Sequence, residues 1–203
     1  MHYAAAETYS KGSTSMNASE PADQIPRHKV FVSYHHERDQ QYRDAFERMF
    51  ADMGEIQIAK SAQIDDIDPD LDVEAARQNI RDEFLRDSTA TVVLIGPETW
   101  KQKSVDWEIG SSLRNTESSP RSALLGMFLP TYDSGYFPYT IPPRLYYNLE
   151  CGFAKLYPWT ESPTAVANWI RNACIRREKI DPDNAFPSFK INRTGHRWHY
   201  GAR

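Results

Sequence analysis

Glu108 is the residue whose position along the chain best fits a reactive group. It lies in an amphipathic stretch, residues 104–113, that follows a run of aliphatic residues, ATVVLIG, at residues 90–96. In a helix over residues 104–113, Val105 and Ile109 point inward and Glu108 lies beside them, toward the edge of the core. A carboxylate there, near the end of a buried strand, would be partly desolvated and would have a raised pKa. The alternative, which the pattern alone favours, is a surface glutamate that complements the helix N-terminus.

Neighbouring residues complete this predicted helix. Ser104 is expected to be its N-cap, and Asp106 lies in the first turn, where the helix dipole favours an acidic side chain. Trp107 is expected to point away from the inward face.

Polar side chains also follow the first predicted strand, HKVFVSYH at residues 28–35. Alternation places Val30, Val32 and Tyr34 on one face, and Phe31, Ser33 and His35 on the other. The hydroxyl groups of Ser33 and Tyr34 and the imidazoles of His35 and His36 are candidate ligand contacts. Ordinary strand and loop residues without a role in binding or titration are the alternative.

Several classes of function are disfavoured by what the chain lacks. It contains neither G-x-G-x-x-G nor G-x-x-x-x-G-K-[ST], so a Rossmann dinucleotide site and a P-loop are not expected. The net charge of -4 gives no excess of basic residues of the kind that binds nucleic acid. The acidic residues 60–72 lack the glycine and the final glutamate of an EF-hand loop, which favours a solvated loop over a Ca²⁺ site. The two cysteines have no zinc-ligand spacing and are expected to be reduced, core-like thiols.

The elements that would position these residues alternate between strands and helices. Strands are predicted over residues 28–35, 55–59, 90–96, 123–129 and, less clearly, 151–157. Helices are predicted over residues 39–53, capped by Asp39 and ended by Gly54, 73–86 and 104–113, and after Ser162 with Pro163 at the first position. This order predicts an α/β fold with a parallel sheet covered by helices on both faces. Ligands then bind beyond the carboxyl ends of the strands.

The chain divides into three parts by composition. Residues 1–27 are expected to be disordered or ordered by a partner, residues 28–180 form the domain, and the aromatic, basic residues 181–203 form a tail that packs on the domain or on a partner. Residues 1–24 lack the apolar core of a signal peptide, and the longest apolar run, residues 124–130, is too short to span a bilayer. A soluble, cytoplasmic protein is therefore expected.

Two segments resemble a known family. VFVSYHHERDQQYRDAF and TATVVLIGPETWKQKSVDWEIGSSL resemble the TIR-like domains of bacterial antiphage defence, in particular the NAD-processing TIR subunit of Thoeris systems. The resemblance covers about residues 28–180. It implies a flavodoxin-like TIR fold with NAD⁺ as substrate, no separate cofactor and no metal, and a catalytic glutamate at the position of Glu108.

The resemblance also implies roles for other residues. The nucleotide pocket is expected to be lined by Ser33, Tyr34, His35, His36 and Arg38. Related sequences often have a tryptophan where this chain has Ser104, and Trp100 and Trp107 are expected to cover the pocket instead. The acidic loop around Asp65 and Asp66 corresponds to a loop that often mediates assembly.

The implied activity is cleavage of the nicotinamide glycosidic bond, with either ADP-ribose or a cyclic ADP-ribose-type signal as product. The expected partners are NAD⁺, a phage-derived trigger, further copies of the chain on activation, and an effector reached through the small-molecule product; neither nucleic acid nor a membrane is expected. One alternative is a non-catalytic TIR adaptor that works by self-association. Another is a protein on the same fold that binds a nucleoside or nucleotide sugar.

Overall fold

The computed structural model describes residues 27–59, 72–116, 119–132 and 140–195. The strands are β1 His28–Ser33, β2 Ile56–Ile58, β3 Ala90–Ile95, β4 Ala123–Phe128 and β5 Leu156–Pro158. The helices are α1 His36–Met49, α2 Val73–Glu83, α3 Lys103–Ser112, α4 Pro143–Glu150 and α5 Pro163–Arg177, with a short 3₁₀ helix at Thr99–Lys101. The predicted loop with Asp65 and Asp66, the first 26 residues and the end of the tail lie outside the described residues.

The five strands form one sheet in the order β2-β1-β3-β4-β5, and every pair is parallel. All six residues of β3 are buried, as expected for an aliphatic run covered on both faces. The predicted flavodoxin-like α/β fold is therefore confirmed. In the sheet, β2 lies on one side of β1 and β3 on the other, so the strand order reverses at β1. The carboxyl ends of β1 and β3 therefore flank the switch point, where such sheets bind ligands.

Each face of the sheet has its own core. The side chains of Val30, Val32 and Tyr34 pack with α1 and α5, while Phe31 packs with α2 and α3. The alternation predicted for β1 is thus confirmed, and Ser33 faces the same side as Phe31. Helix α4 completes that second face, where Leu145 packs with residues of β3 and α3. Within the described ranges, no helix is long and apolar enough to cross a membrane.

The ends of α1 differ from the prediction. The N-cap is His35, four residues before the expected Asp39, and the helix ends at Met49, before Gly54. Asp39 is not the cap: its backbone N–H donates to the His35 carbonyl, and its side chain is buried. The carboxyl instead lies directly over Gly96, where an added Cβ would come within 2.5 Å of Oδ2. Tertiary packing at the switch point therefore overrides the capping preference of aspartate.

Three further predictions were wrong in detail. The N-cap of α3 is Gln102, and Ser104 is the second residue of the helix. The last strand covers only Leu156–Pro158, because the chain turns at Gly152 with a φ of +80°. Helix α4 was missed, although the prolines that precede and open it and the spacing of Leu145 and Leu149 are typical of a helix start. The Ser162 cap of α5 is confirmed, since its hydroxyl accepts from the Ala165 N–H.

A buried ion pair joins α3 to α4. The Arg144 Nε and Nη2 donate to the two carboxylate oxygens of Asp106 at 3.0 and 3.3 Å, and the two side chains are 0% and 1% exposed. Removing one partner of such a pair leaves the other charge uncompensated in the interior. The packing of α3 against α4 therefore depends on both residues being present.

We expect Arg144→Met to lower the free energy of unfolding by about 3–5 kcal/mol, because Asp106 then stays buried without the cation that is hydrogen-bonded to it. Urea denaturation measures this change. The double variant Arg144→Met with Asp106→Asn should recover much of the loss, since an amide oxygen can still accept from the Phe189 N–H. Arg171→Met is the matched control: this arginine is 43% exposed and pairs with Glu55, so its loss should change stability by less than about 1 kcal/mol.

Candidate functional site

Ser33 and Glu108 meet at the carboxyl end of β1. Ser33 is the last residue of that strand and faces α3, and Glu108 lies in the second turn of α3. The Ser33 hydroxyl donates to Glu108 Oε2 at 2.5 Å, and both side chains are completely buried. Burial raises the pKa of Glu108 to about 8, although the hydrogen bond from Ser33 acts to lower it. At neutral pH most of this carboxyl is therefore protonated.

The second oxygen of Glu108 faces the beginning of α1. His36 Nε2 lies 3.9 Å from Oε1, and the His36 side chain is 29% exposed. Among the described residues, none donates a hydrogen bond to Oε1. One oxygen is thus held by Ser33, and the other lies beside a partly exposed imidazole.

Stacking orients the His36 ring. It lies parallel to the Tyr34 ring, with a centroid distance of 4.4 Å and an interplanar angle of 12°. Tyr34 is itself fixed, because its hydroxyl donates to Gln40 Oε1 at 2.6 Å and its ring packs in the core with Val32. The polar end of β1 and the first turn of α1 therefore meet at the Glu108 carboxyl.

The helix that carries Glu108 is buried on all sides. Every residue from Val105 to Ser112 is buried, so Glu108 lies inside the core rather than at its edge. Trp107, which was expected to point away from the core, is only 5% exposed, and its Nε1 donates to the Phe189 carbonyl at 2.8 Å. The periodic pattern misplaced both residues because α3 is covered on every side by distant parts of the chain. Glu108 faces Ser33 at the end of β1, and Trp107 packs with residues of α2 and donates to the C-terminal segment.

A second buried carboxyl, that of Asp39, lies at the switch point against Gly96 and Thr99. Asp39 is 3% exposed, and burial raises its pKa. Thr99 Oγ1 donates to Asp39 Oδ2 at a long 3.4 Å and accepts from the Gly96 N–H at 2.9 Å. Neighbouring His35 is also buried, which lowers its pKa. Asp39 is not among the predicted site residues, although an acidic residue in the first turn after β1 is a signal that could have indicated it.

The other predicted site residues, Arg38, Trp100 and Trp107, have their described contacts elsewhere. Arg38 is exposed and pairs with Glu98 at 3.2 Å. Trp100 is buried against Tyr147, Phe186 and Phe189. Neither tryptophan has a contact with Glu108 among those described, so their role in covering the pocket stays a prediction, as does the assembly role of Asp65 and Asp66.

Two other features do not coincide with this centre. A groove of about 700 Å³ lies at the ends of β4 and β5 and is lined by aromatic side chains, among them Tyr132, Tyr157 and Trp159. Glu108 does not line it. Within the part of the chain that the structure describes, no group of three or more His, Cys, Asp and Glu residues could hold a metal ion.

The sheet order and the buried glutamate after β3, opposite the end of β1, together define a TIR-like α/β domain. The family described as "Thoeris protein ThsB, TIR-like domain" matches residues 31–133. Because this match spans slightly more than half of the 203 residues, the chain belongs to the TIR-like domain family of Thoeris antiphage defence. No curated protein matches the sequence.

Ser33→Ala should raise the pKa of Glu108 further, because it removes the hydrogen bond that favours the charged form. Hydrogen bonds to charged groups contribute about 1.5–3 kcal/mol, so the titration midpoint should rise by about 1 to 2 pH units. The ¹³C NMR signal of the Glu108 carboxyl measures it. Ser111→Ala is the control, since that buried hydroxyl on the same helix donates to the Arg77 carbonyl. An unchanged or lower midpoint in Ser33→Ala would contradict the assignment.

Proposed function

We propose that this protein cleaves the bond between nicotinamide and ribose in NAD⁺, with Glu108 as the catalytic residue. The observation that supports the proposal is the fully buried Glu108 carboxyl, held at Oε2 by Ser33 and facing His36 through Oε1. Perturbed carboxyl groups of this kind are concentrated at functional sites. Membership of the TIR-like family makes NAD⁺ the substrate to test first.

The chemistry requires one carboxylate and no strong acid. Nicotinamide leaves as a neutral base from a cationic pyridinium, so the leaving group needs no proton. The ribose passes through a transition state that resembles an oxocarbenium ion, as in glycoside hydrolysis. An ionised Glu108 close to the ribose stabilises that positive charge, and the dry surroundings strengthen the interaction.

Substrate binding itself ionises the carboxyl in this scheme. A group with a pKa of about 8 is mostly neutral at pH 7 in the resting protein. The positive charge of the nicotinamide ring favours the charged form of a nearby carboxyl and lowers its pKa. Glu108 therefore becomes a carboxylate when the cationic substrate arrives, and the proton is released to solvent.

His36 controls the approach to the carboxyl. Its partly exposed ring lies next to the otherwise buried Oε1, so a ligand that reaches this oxygen has to pass or displace the imidazole. After cleavage, attack by water gives ADP-ribose, and attack by a nucleophile within the substrate gives a cyclic ADP-ribose-type signal. The second outcome requires that water is excluded and the substrate folds back. Activation by a phage-derived trigger and self-association, with release of the product to an effector, belong to the same proposal.

Glu108→Gln should reduce nicotinamide release from NAD⁺ by about 10²–10³-fold, as expected for loss of a main electrostatic group. Mass spectrometry of the reaction products measures it. The variant should fold at least as well as the parent, because at pH 4.5–8 the folded protein holds a proton on Glu108 that the unfolded chain releases, and stability falls as pH rises. Glutamine removes this unfavourable contribution.

The control for that experiment is Glu161→Gln, an exposed glutamate before α5, which should retain full activity. Wild-type turnover in Glu108→Gln would contradict the catalytic role. If the parent releases no nicotinamide even after assembly and exposure to phage, the adaptor function replaces the enzymatic one.

The ionisation of Glu108 should appear in the pH dependence of kcat/KM and again in that of kcat. kcat/KM, which reflects the free enzyme, should rise with pH through a midpoint near 8, because only the carboxylate is productive. The corresponding midpoint of kcat should lie at lower pH, since the bound cation favours ionisation. A kcat/KM that is constant from pH 6 to 9, with stable protein throughout, would contradict this scheme.

A further inference from the structure

Residues 183–193, which we name the C-terminal strap, run along α3 over almost its whole length. Near the start of the strap, Asn184 Nδ2 donates to the Gly110 carbonyl at 2.9 Å. In the middle, the Phe189 carbonyl accepts from Trp107 Nε1 at 2.8 Å. At the end, Asn192 Oδ1 accepts from the Lys103 backbone N–H at 2.8 Å. The strap therefore binds the last, central and first turns of the helix.

A charged network anchors the same segment. The Phe189 N–H donates to Asp106 Oδ2 at 3.0 Å, beside the buried pair of Asp106 with Arg144. Arg144 Nη1 reaches on to Asn184 Oδ1 at 2.7 Å. Ser188 accepts from Arg77 Nη1 at 3.1 Å, which connects α2 as well. One segment thus joins α2, α3 and α4 through polar contacts that are buried or partly buried.

Aromatic packing covers this network. Phe186 and Phe189 are buried with Trp100 and Tyr147, and the Arg193 guanidinium lies 4.4 Å from the centre of the Phe189 ring. The strap is therefore packed and hydrogen-bonded like a secondary structure element, although it contains neither helix nor strand.

The contacts lie on the side of α3 away from Glu108. At 100° per residue, Asp106 and Gly110 are each about 160° around the helix axis from Glu108. Gly110 leaves room on this side for the two arginines that contact the strap: an added Cβ would lie 2.5 Å from Arg77 Nη2 and 3.2 Å from Arg144 Nε. Because α3 is held between the strap and the sheet, a rotation of the helix would move the Glu108 carboxyl away from Ser33.

We propose that the C-terminal strap positions the catalytic glutamate, with Asn184 and Asn192 as positioning residues that fix the rotation of α3. This inference rests on the proposed function of Glu108. The strap lies outside residues 31–133, the part that matches the family. The orientation of the catalytic helix therefore depends on a segment beyond the matched domain.

Asn184→Ala tests this in the full-length protein. It removes contacts to both the Gly110 carbonyl and Arg144, and misplacement of a reacting group by a fraction of an ångström should lower kcat by roughly 10-fold. KM for NAD⁺ should change little, because the loss is in the transition state. The Glu108 midpoint measured by ¹³C NMR should fall below that of the parent as the looser helix admits water.

Two substitutions at Asn192 test whether a hydrogen-bond acceptor at this position is enough to maintain kcat. Asn192→Ala should lower kcat in the same way but less, since that hydrogen bond is more exposed. Asn192→Asp should restore it, because a carboxylate still accepts from the Lys103 N–H and is favoured at a helix N-terminus. Asn168→Ala is the matched control: this asparagine is on α5, across the sheet, and accepts from Arg171.

The outcomes separate the two proposals. Lower thermal stability of Asn184→Ala with unchanged kcat, KM and Glu108 midpoint would show that the strap only stabilises the fold, and would overturn the inference. If the parent does not cleave NAD⁺, the proposed function fails, while the NMR midpoint still reports whether the strap controls the surroundings of Glu108. An Asn192→Asp variant no better than Asn192→Ala would also count against positioning.

Discussion

Helix α3 withdraws two carboxyl groups from water on nearly opposite sides, and the rest of the site depends on how each is stabilised. Asp106 receives two hydrogen bonds from Arg144 and one from the Phe189 N–H, all at 3.0–3.3 Å. Glu108 receives one from the Ser33 hydroxyl. The first arrangement compensates a buried charge, whereas the second leaves a carboxyl for which the neutral form is favoured. The same helix thus carries a structural acid and a candidate reactive one.

This asymmetry is energetically unfavourable for folding. Each pH unit by which a pKa differs between the folded and unfolded states corresponds to about 1.4 kcal/mol. A glutamate with a pKa near 8 therefore opposes folding at neutral pH by several kcal/mol, and packing elsewhere has to offset this. The fully buried β3, the Asp106–Arg144 pair and the strap supply that packing around α3. Functional sites commonly retain such locally unfavourable groups.

Local patterns were sufficient for most of the architecture. The aliphatic runs at β3 and β4, the alternation in β1 and the Ser162 cap of α5 each depend on neighbours within a few residues, and each was predicted. Predictions failed where a distant segment intervened. The local sequence predicts a cap at Asp39, because Gly96, over which its carboxyl packs, lies 57 positions away. It predicts an outward Trp107, because nothing near that residue indicates its hydrogen bond to residues 183–193. Helix α4 was a different failure, since its local signals were present and unused.

Residue types and spacing established that a glutamate follows a buried strand in a parallel α/β sheet, and that polar side chains end the first strand. They left open whether Glu108 was a surface residue or a buried one, and pattern alone favoured the surface. The folded chain resolves this by bringing together groups 75 positions apart, Ser33 and Glu108, while α4 and the strap cover the opposite side of α3. Periodicity records which side of a helix is apolar, but a pKa depends on the loss of water and on partners from elsewhere in the chain, and these exist only after folding.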